Sequence, residues 1–157
     1  MSKTTGPAFA LDQHLFFWMT QVIEARDRQL ARRLRGYRLR APEWRALASL
    51  HARQRLSMRE LADLSSIDRT TLSRTVERMV RAGWVTRLSD AADLRITRLA
   101  LTAQGERLFA RLWPTVERLN LAAVAGLPAP AVEMLRWTLE QMKTNLDLVT
   151  DESAQAA

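Results

Sequence analysis

The stretch from Leu56 to Leu108 constrains this chain most, because two helix-start signals stand close together and two short strand-like segments follow them. Ser57-Met58-Arg59-Glu60 has the form of a capping box. The Ser57 hydroxyl can accept the amide three residues on, while the Glu60 carboxylate reaches back to the Ser57 amide. A helix opened there runs to about Leu64, and Ser65-Ser66 breaks it. Asp68 suits the N-cap of a second helix, with its charge at the positive end of the helix dipole. In that helix Leu72, Val76, Met79 and Val80 recur at helical spacing and predict a buried stripe. Gly83 stands where a left-handed residue ends a helix. Trp84 to Leu88 and Arg95 to Leu101 then read as two strands around a polar turn, Ser89 to Asp93.

The other side of the second helix carries Arg69, Thr70, Ser73, Arg74, Glu77 and Arg81. Thr70 and Arg74 are four apart and share a face. Small hydroxyls let a backbone come close to a duplex, and an arginine can pair bidentately with guanine or hold a phosphate. A solvated basic helix face has the same composition, so the helix alone leaves both readings open. The hairpin directly behind it, which makes a wing, favours duplex DNA.

In order and spacing these elements resemble the MarR family of bacterial transcriptional regulators. Asp93-Leu94-Arg95 matches that family's Asp-x-Arg, and Leu101-Thr102-Ala103-Gln104-Gly105-Glu106-Arg107-Leu108 matches the Leu-Thr-x-x-Gly-x-x-Leu that opens its next helix. The resemblance implies that Arg95 enters the minor groove and that Asp93 braces it. It implies that Thr70, Thr71, Ser73 and Arg74, with Arg69 at the head of the helix, contact bases and phosphates. Leu94 departs from the pattern, since many members carry a basic residue there, and this implies a weaker wing–phosphate contact. The fold expected is mainly α with a small β-hairpin wing: a winged helix-turn-helix over about 40–101, with dimerisation helices over about 8–35 and 102–150 of one MarR-like chain.

The flanks agree with that division. Leu11, Leu15, Trp18 and Val22 mark a stripe on an N-terminal helix that runs to about Arg35, and Pro42 suits the first turn of a second helix. Thr102 caps a long helix in which Pro114 should introduce a kink. Gly126-Leu127-Pro128-Ala129-Pro130 breaks the chain, and Val132, Leu135, Leu139, Met142, Leu146 and Val149 then alternate at steps of three and four, as in a coiled-coil seam. Such terminal stripes call for a second copy of the chain, and the family resemblance implies a homodimer.

The remaining sequence narrows the function. The chain has 157 residues and a formal net charge of +7, which favours an acidic partner. All but Lys3 and Lys143 of its 24 basic residues are arginine. The absence of cysteine excludes disulfides and thiol redox sensing. No apolar run reaches the roughly 18 residues of a membrane span, and no convincing signal peptide opens the chain, so a cytoplasmic protein is expected. His14 and His51 have no metal-ligand spacing and no glycine-rich phosphate loop is present, so neither catalysis, a metal nor a cofactor is expected.

The reading is therefore a ligand-responsive repressor that binds a pseudo-palindromic DNA operator as a homodimer and is released by a small molecule. The alternative is a winged helix that binds protein or RNA, although RNA readers usually expose stacking aromatics. For the effector, the resemblance places a pocket between dimer helices and DNA-binding lobe, with Phe17, Trp18, Tyr37 and above all Trp44 as candidates. Seven arginines between Arg26 and Arg40 face only Glu24 and Asp27. Within them Arg32 and Arg33 are candidate contacts for an anionic effector.

Overall fold

The computed structural model describes residues 10–90 and 96–155, with side chains to residue 149. Two compact units divide the chain, Met1–Leu119 and Asn120–Ala157.

In the first unit a 3-10 turn, Leu11–Gln13, precedes helix α1, Leu15–Leu34. A second 3-10 turn, Arg35–Tyr37, ends on Arg38 in the left-handed region (φ 54°). The chain thus turns on an arginine two residues beyond Gly36. Helix α2 covers Ala41–Arg53, with Pro42 in its first turn where a missing N–H costs nothing. Strand β1, Leu56–Ser57, leads into α3, Met58–Ser65, and α4, Arg69–Arg81, follows. Strands β2, Val85–Ser89, and β3, Thr97–Leu101, form the hairpin, and α5 covers Ala103–Ala123 through Pro114.

Capping sets these boundaries. Ser57 Oγ accepts the Glu60 amide at 3.3 Å and Glu60 Oε2 accepts the Ser57 amide at 2.7 Å, which is the expected capping box. Asp68 Oδ1 accepts the Thr71 amide at 2.8 Å, and Gly83 ends the α4 segment at φ 74°. The sheet is antiparallel in the order β1–β3–β2, with Leu56 opposite Leu99 and Val85 opposite Leu101. The third strand was not legible as such: two residues carry no periodicity, and Ser57 serves both as strand residue and as helix cap.

Helices of eight residues such as α3 are not stable alone in water. They are held by a shared core: Leu30 and Leu34 of α1, Leu47 and Leu50 of α2, Leu61 of α3, Leu72, Val76 and Met79 of α4, Leu99 of β3, and Leu112 and Val116 of α5. Each such burial contributes about 1.5–3 kcal/mol. The fold is the expected one: mainly helical, with a winged helix-turn-helix.

The second unit holds the end of α5 and helix α6, Ala129–Gln155, joined by a turn in which Gly126 adopts φ 82°. Among the described residues, no helix is long and apolar enough to cross a membrane.

Candidate nucleic-acid interface

The amphipathic pattern of α4 decides what it offers to solvent. Leu72, Thr75, Val76 and Met79 are buried. Arg69, Thr70, Ser73, Arg74, Glu77 and Arg81 are exposed, and Thr71 and Arg78 are half-buried along one flank. All five sequence-predicted positions of α4 therefore lie on one capped, rigid helix, four facing water and Thr71 at the edge. Hydrogen bonds from the Thr71 amide and hydroxyl hold the Asp68 carboxyl below its ordinary pKa, so the cap stays ionised at the start of the helix.

A buried carboxylate bolts α4 to α2. Glu43 is only 1% exposed. Its Oε2 accepts the Arg40 amide at 2.7 Å, and its Oε1 lies 2.7 Å from Arg78 Nη2. The second contact is close in charge but out of line as a hydrogen bond. A buried charge without a partner is costly, so Glu43 requires Arg78 and thereby fixes the flank of α4 against the start of α2.

The hairpin is tied to the first helix of the motif. Arg98 Nε donates to Asp90 Oδ2 at 2.6 Å, and Arg98 Nη1 donates to Glu60 Oε2 at 2.5 Å. Glu60 thus caps α3 and receives the arginine of β3 with the same oxygen. Hydrogen bonds from the Ser57 backbone and hydroxyl, then from Arg98, hold the Glu60 carboxyl below its ordinary pKa. The paired carboxylates raise the Arg98 pKa in turn. Asp93 and Arg95, the expected wing residues, lie outside the described residues.

The motif that opens α5 has a plain physical origin. Thr102 Oγ1 donates to the Gly83 carbonyl at 2.6 Å and accepts the Gly105 amide at 3.1 Å, so one hydroxyl joins the end of α4 to the start of α5. A Cβ on Gly105 would overlap the Trp84 carbonyl oxygen.

Comparison with known proteins agrees with this geometry. A family model described as MarR family matches residues 39–97. The transcriptional repressor IacR of Pseudomonas putida is 25% identical over 139 residues, covering 88% of this chain and 83% of its own. A mutant MarR from E. coli, solved with operator DNA, superposes with a TM-score of 0.74 at 25% identity, over 87% of this chain and 99% of that one. BpsR of Bordetella bronchiseptica, whose DNA binding is regulated by 6-hydroxynicotinic acid, shares the fold with a TM-score of 0.78 at 19% identity, over 88% and 98%.

Over its central part the chain is thus similar to the MarR family of transcriptional regulators. The matched family and the relatives named above are transcriptional regulators rather than enzymes.

The four aromatic candidates of the sequence do not meet in one place. Phe17 and Trp18 stack edge-on with centroids 5.3 Å apart at the start of α1, where Trp18 Nε1 donates to the Asp12 carbonyl at 2.7 Å. Tyr37 is half-buried after the far end of that helix. At 1.5 Å per residue, Trp18 lies about 24 Å down α1 from Leu34. Trp44 is 3% exposed and stacks on Phe109 at 5.6 Å, inside the core. Arg32 and Arg33 are both exposed, and Arg33 Nη1 is already engaged by the Gln29 carbonyl and Oε1 at 3.1 and 2.8 Å.

Three features escaped the sequence reading: the Glu43–Arg78 bolt, the Arg98 brace, and the pairing of His51 Nδ1 with Glu106 at 2.7 Å. For Glu43 a signal existed, since an acid three residues after Arg40 in a Pro-headed helix is a capping position. The other two join residues 8 to 55 apart in sequence, and no local pattern encodes them.

Proposed function

We propose that two copies of this chain bind one pseudo-palindromic duplex operator in the cytoplasm, repressing transcription until a small anionic or aromatic molecule releases them. The observation that carries the reading is the outward face of α4. A capped helix held by a deep core presents Thr70, Ser73 and Arg74 to solvent, which is the chemistry that reads base edges and holds phosphates. The operator complex of the E. coli relative supports a duplex as partner.

Exposed apolar surface supports the two-chain assembly. At and just before the start of α1, Leu11, Leu15, Phe16, Trp18, Val22 and Ile23 are each more than half exposed. On α6, Leu135, Leu139, Leu146 and Val149 of the seam are exposed, as are Met134, Trp137 and Leu148 beside it. Contiguous apolar surface of this kind marks an interaction site, and a second copy is the partner whose stripes match.

A dimer also supplies what one chain lacks for an effector pocket. Trp18 and Tyr37 stand at opposite ends of α1, so a pocket using both draws them from different copies. IacR is named a repressor and BpsR responds to an aromatic acid, which supports the sign and the ligand class. Such a molecule acts only by binding one spacing of the two recognition helices better than another.

A gel-shift comparison of duplex DNA, duplex RNA and single strands tests the partner class, with sedimentation of the complex giving its stoichiometry. Two chains on duplex DNA are expected. Equal retention of duplex RNA would move the chain to an RNA-binding role, and one chain on an asymmetric half-site would refute the assembly.

A further inference from the structure

A cleft of about 280 Å³ opens between the start of α2 and the flank of α4, lined by Arg40, Pro42, Glu43, Thr71, Arg74, Thr75 and Arg78. A water claims roughly 30 Å³ of liquid volume, so the cleft has room for a phosphate group with several waters. Its charge is unbalanced. Glu43, the one carboxylate lining it, is spent on Arg78 and on the Arg40 amide. Neither Arg40 nor Arg74 has a carboxylate partner among the described residues. Both side chains are exposed at the rim, while the carboxylate sits at the buried end.

The start of α2 adds its positive dipole end, although Pro42 has no N–H and Glu43 already satisfies the Arg40 amide. Binding here therefore depends on the guanidinium groups. Planar forks suit phosphate oxygens.

The position decides which anion. Arg74 belongs to the outward face of α4 and also lines the cleft. A recognition helix in the major groove has the sugar-phosphate backbone along its flanks, and contacts there set register without reading sequence. We propose that this cleft seats a backbone phosphodiester of the bound duplex, with Arg40 as its principal ligand and Arg74 shared between phosphate and base edge. The proposal rests on the DNA-binding reading above. It assigns Arg40, outside the recognition helix, to the interface. It also gives the Glu43–Arg78 pair a role: the pair keeps the second α4 arginine out of the seat and fixes the distance between α2 and α4.

The test measures operator affinity from about 50 to 200 mM salt for the unchanged chain, R40A, R40K and, as an equal-charge control, R32A. Loss of one phosphate contact per chain should lower the log–log salt slope by about 0.9 per chain, close to 2 for a two-chain complex. R40A should show that drop, by the same amount on operator and on scrambled duplex. R40K should recover most of the slope, and R32A should keep it. An unchanged slope in R40A, or an equal drop in R32A, overturns the seat. A free-anion alternative is read in the same variants without DNA: inorganic phosphate raising the melting temperature of the unchanged chain but not of R40A, with an unchanged slope, would make the cleft a small-anion site instead. Absence of any duplex binding by the unchanged chain would overturn the DNA reading itself, which separates that failure from this one.

Discussion

Arg74 is the residue where base reading and phosphate holding compete, because it faces outward and also lines the rim of the α2–α4 cleft. If its fork reaches a guanine, Arg74→Ala should cost roughly 1–3 kcal/mol on the best operator and much less on a mismatched one. Fluorescence anisotropy on both duplexes at fixed salt gives the comparison, and equal losses would assign Arg74 to phosphate. Gly105 offers a sharper residue-scale test, on stability. In an exposed helix, alanine is favoured over glycine by about 1 kcal/mol. Here the added methyl would meet the Trp84 carbonyl oxygen, a backbone atom that cannot swing away. Gly105→Ala should therefore destabilise the chain by about 1–3 kcal/mol despite its better helix propensity, and chemical denaturation checks the sign. The outward face of α4 and both caps were legible because each is a short-range pattern of residue types. Glu43 was not read as a bolt because its partner Arg78 lies on another helix, and burial is what turns an ordinary surface acid into a constraint.

At the scale of elements, the wing and the helix-turn-helix are joined by charge rather than by apolar packing alone. Arg98 of β3 bridges Asp90, just after β2, and Glu60 at the start of α3. Because the Glu60 pKa is lowered in the folded chain, its contribution is fully present above the ordinary carboxylate value of about 4.3 and is lost as pH falls through the folded value. The melting temperature of Glu60→Gln should lie below that of the unchanged chain near neutral pH, and the two should converge as pH falls below about 4. A gap that persists in acid would mean that shape rather than charge holds the brace. The sequence showed where most elements start and stop, since Ser57, Asp68, Gly83 and Thr102 are local punctuation. It did not show β1, whose two residues become a strand only by pairing with β3 some forty residues on.

At the scale of the whole molecule, the unanswered demand is apolar surface. The seam of α6 reads in the sequence as steps of three and four, and Leu135, Leu146 and Val149 of that seam are each about half exposed in the single chain. A helix of 27 residues with such a seam is far longer than anything its own unit can cover. Its partner was legible only as a need, because a periodic stripe says that something packs there and not what. The dimer reading makes that need quantitative. Under the proposed assembly one α4 helix per chain would bind one half-site, and joining two chains would make the second contact intramolecular, which multiplies affinity by about 100- to 10,000-fold. Deleting the chain from Ala131 onward should therefore yield a monomer by sedimentation and lower operator affinity by that factor, while leaving the core of the first unit folded by circular dichroism. On the intact protein, footprints should show two protected half-sites about one helical turn apart, ~10 bp between centres. A truncated chain that still protects both half-sites at the original affinity would show that α6 packs for stability alone and that the recognition helices are paired by some other surface.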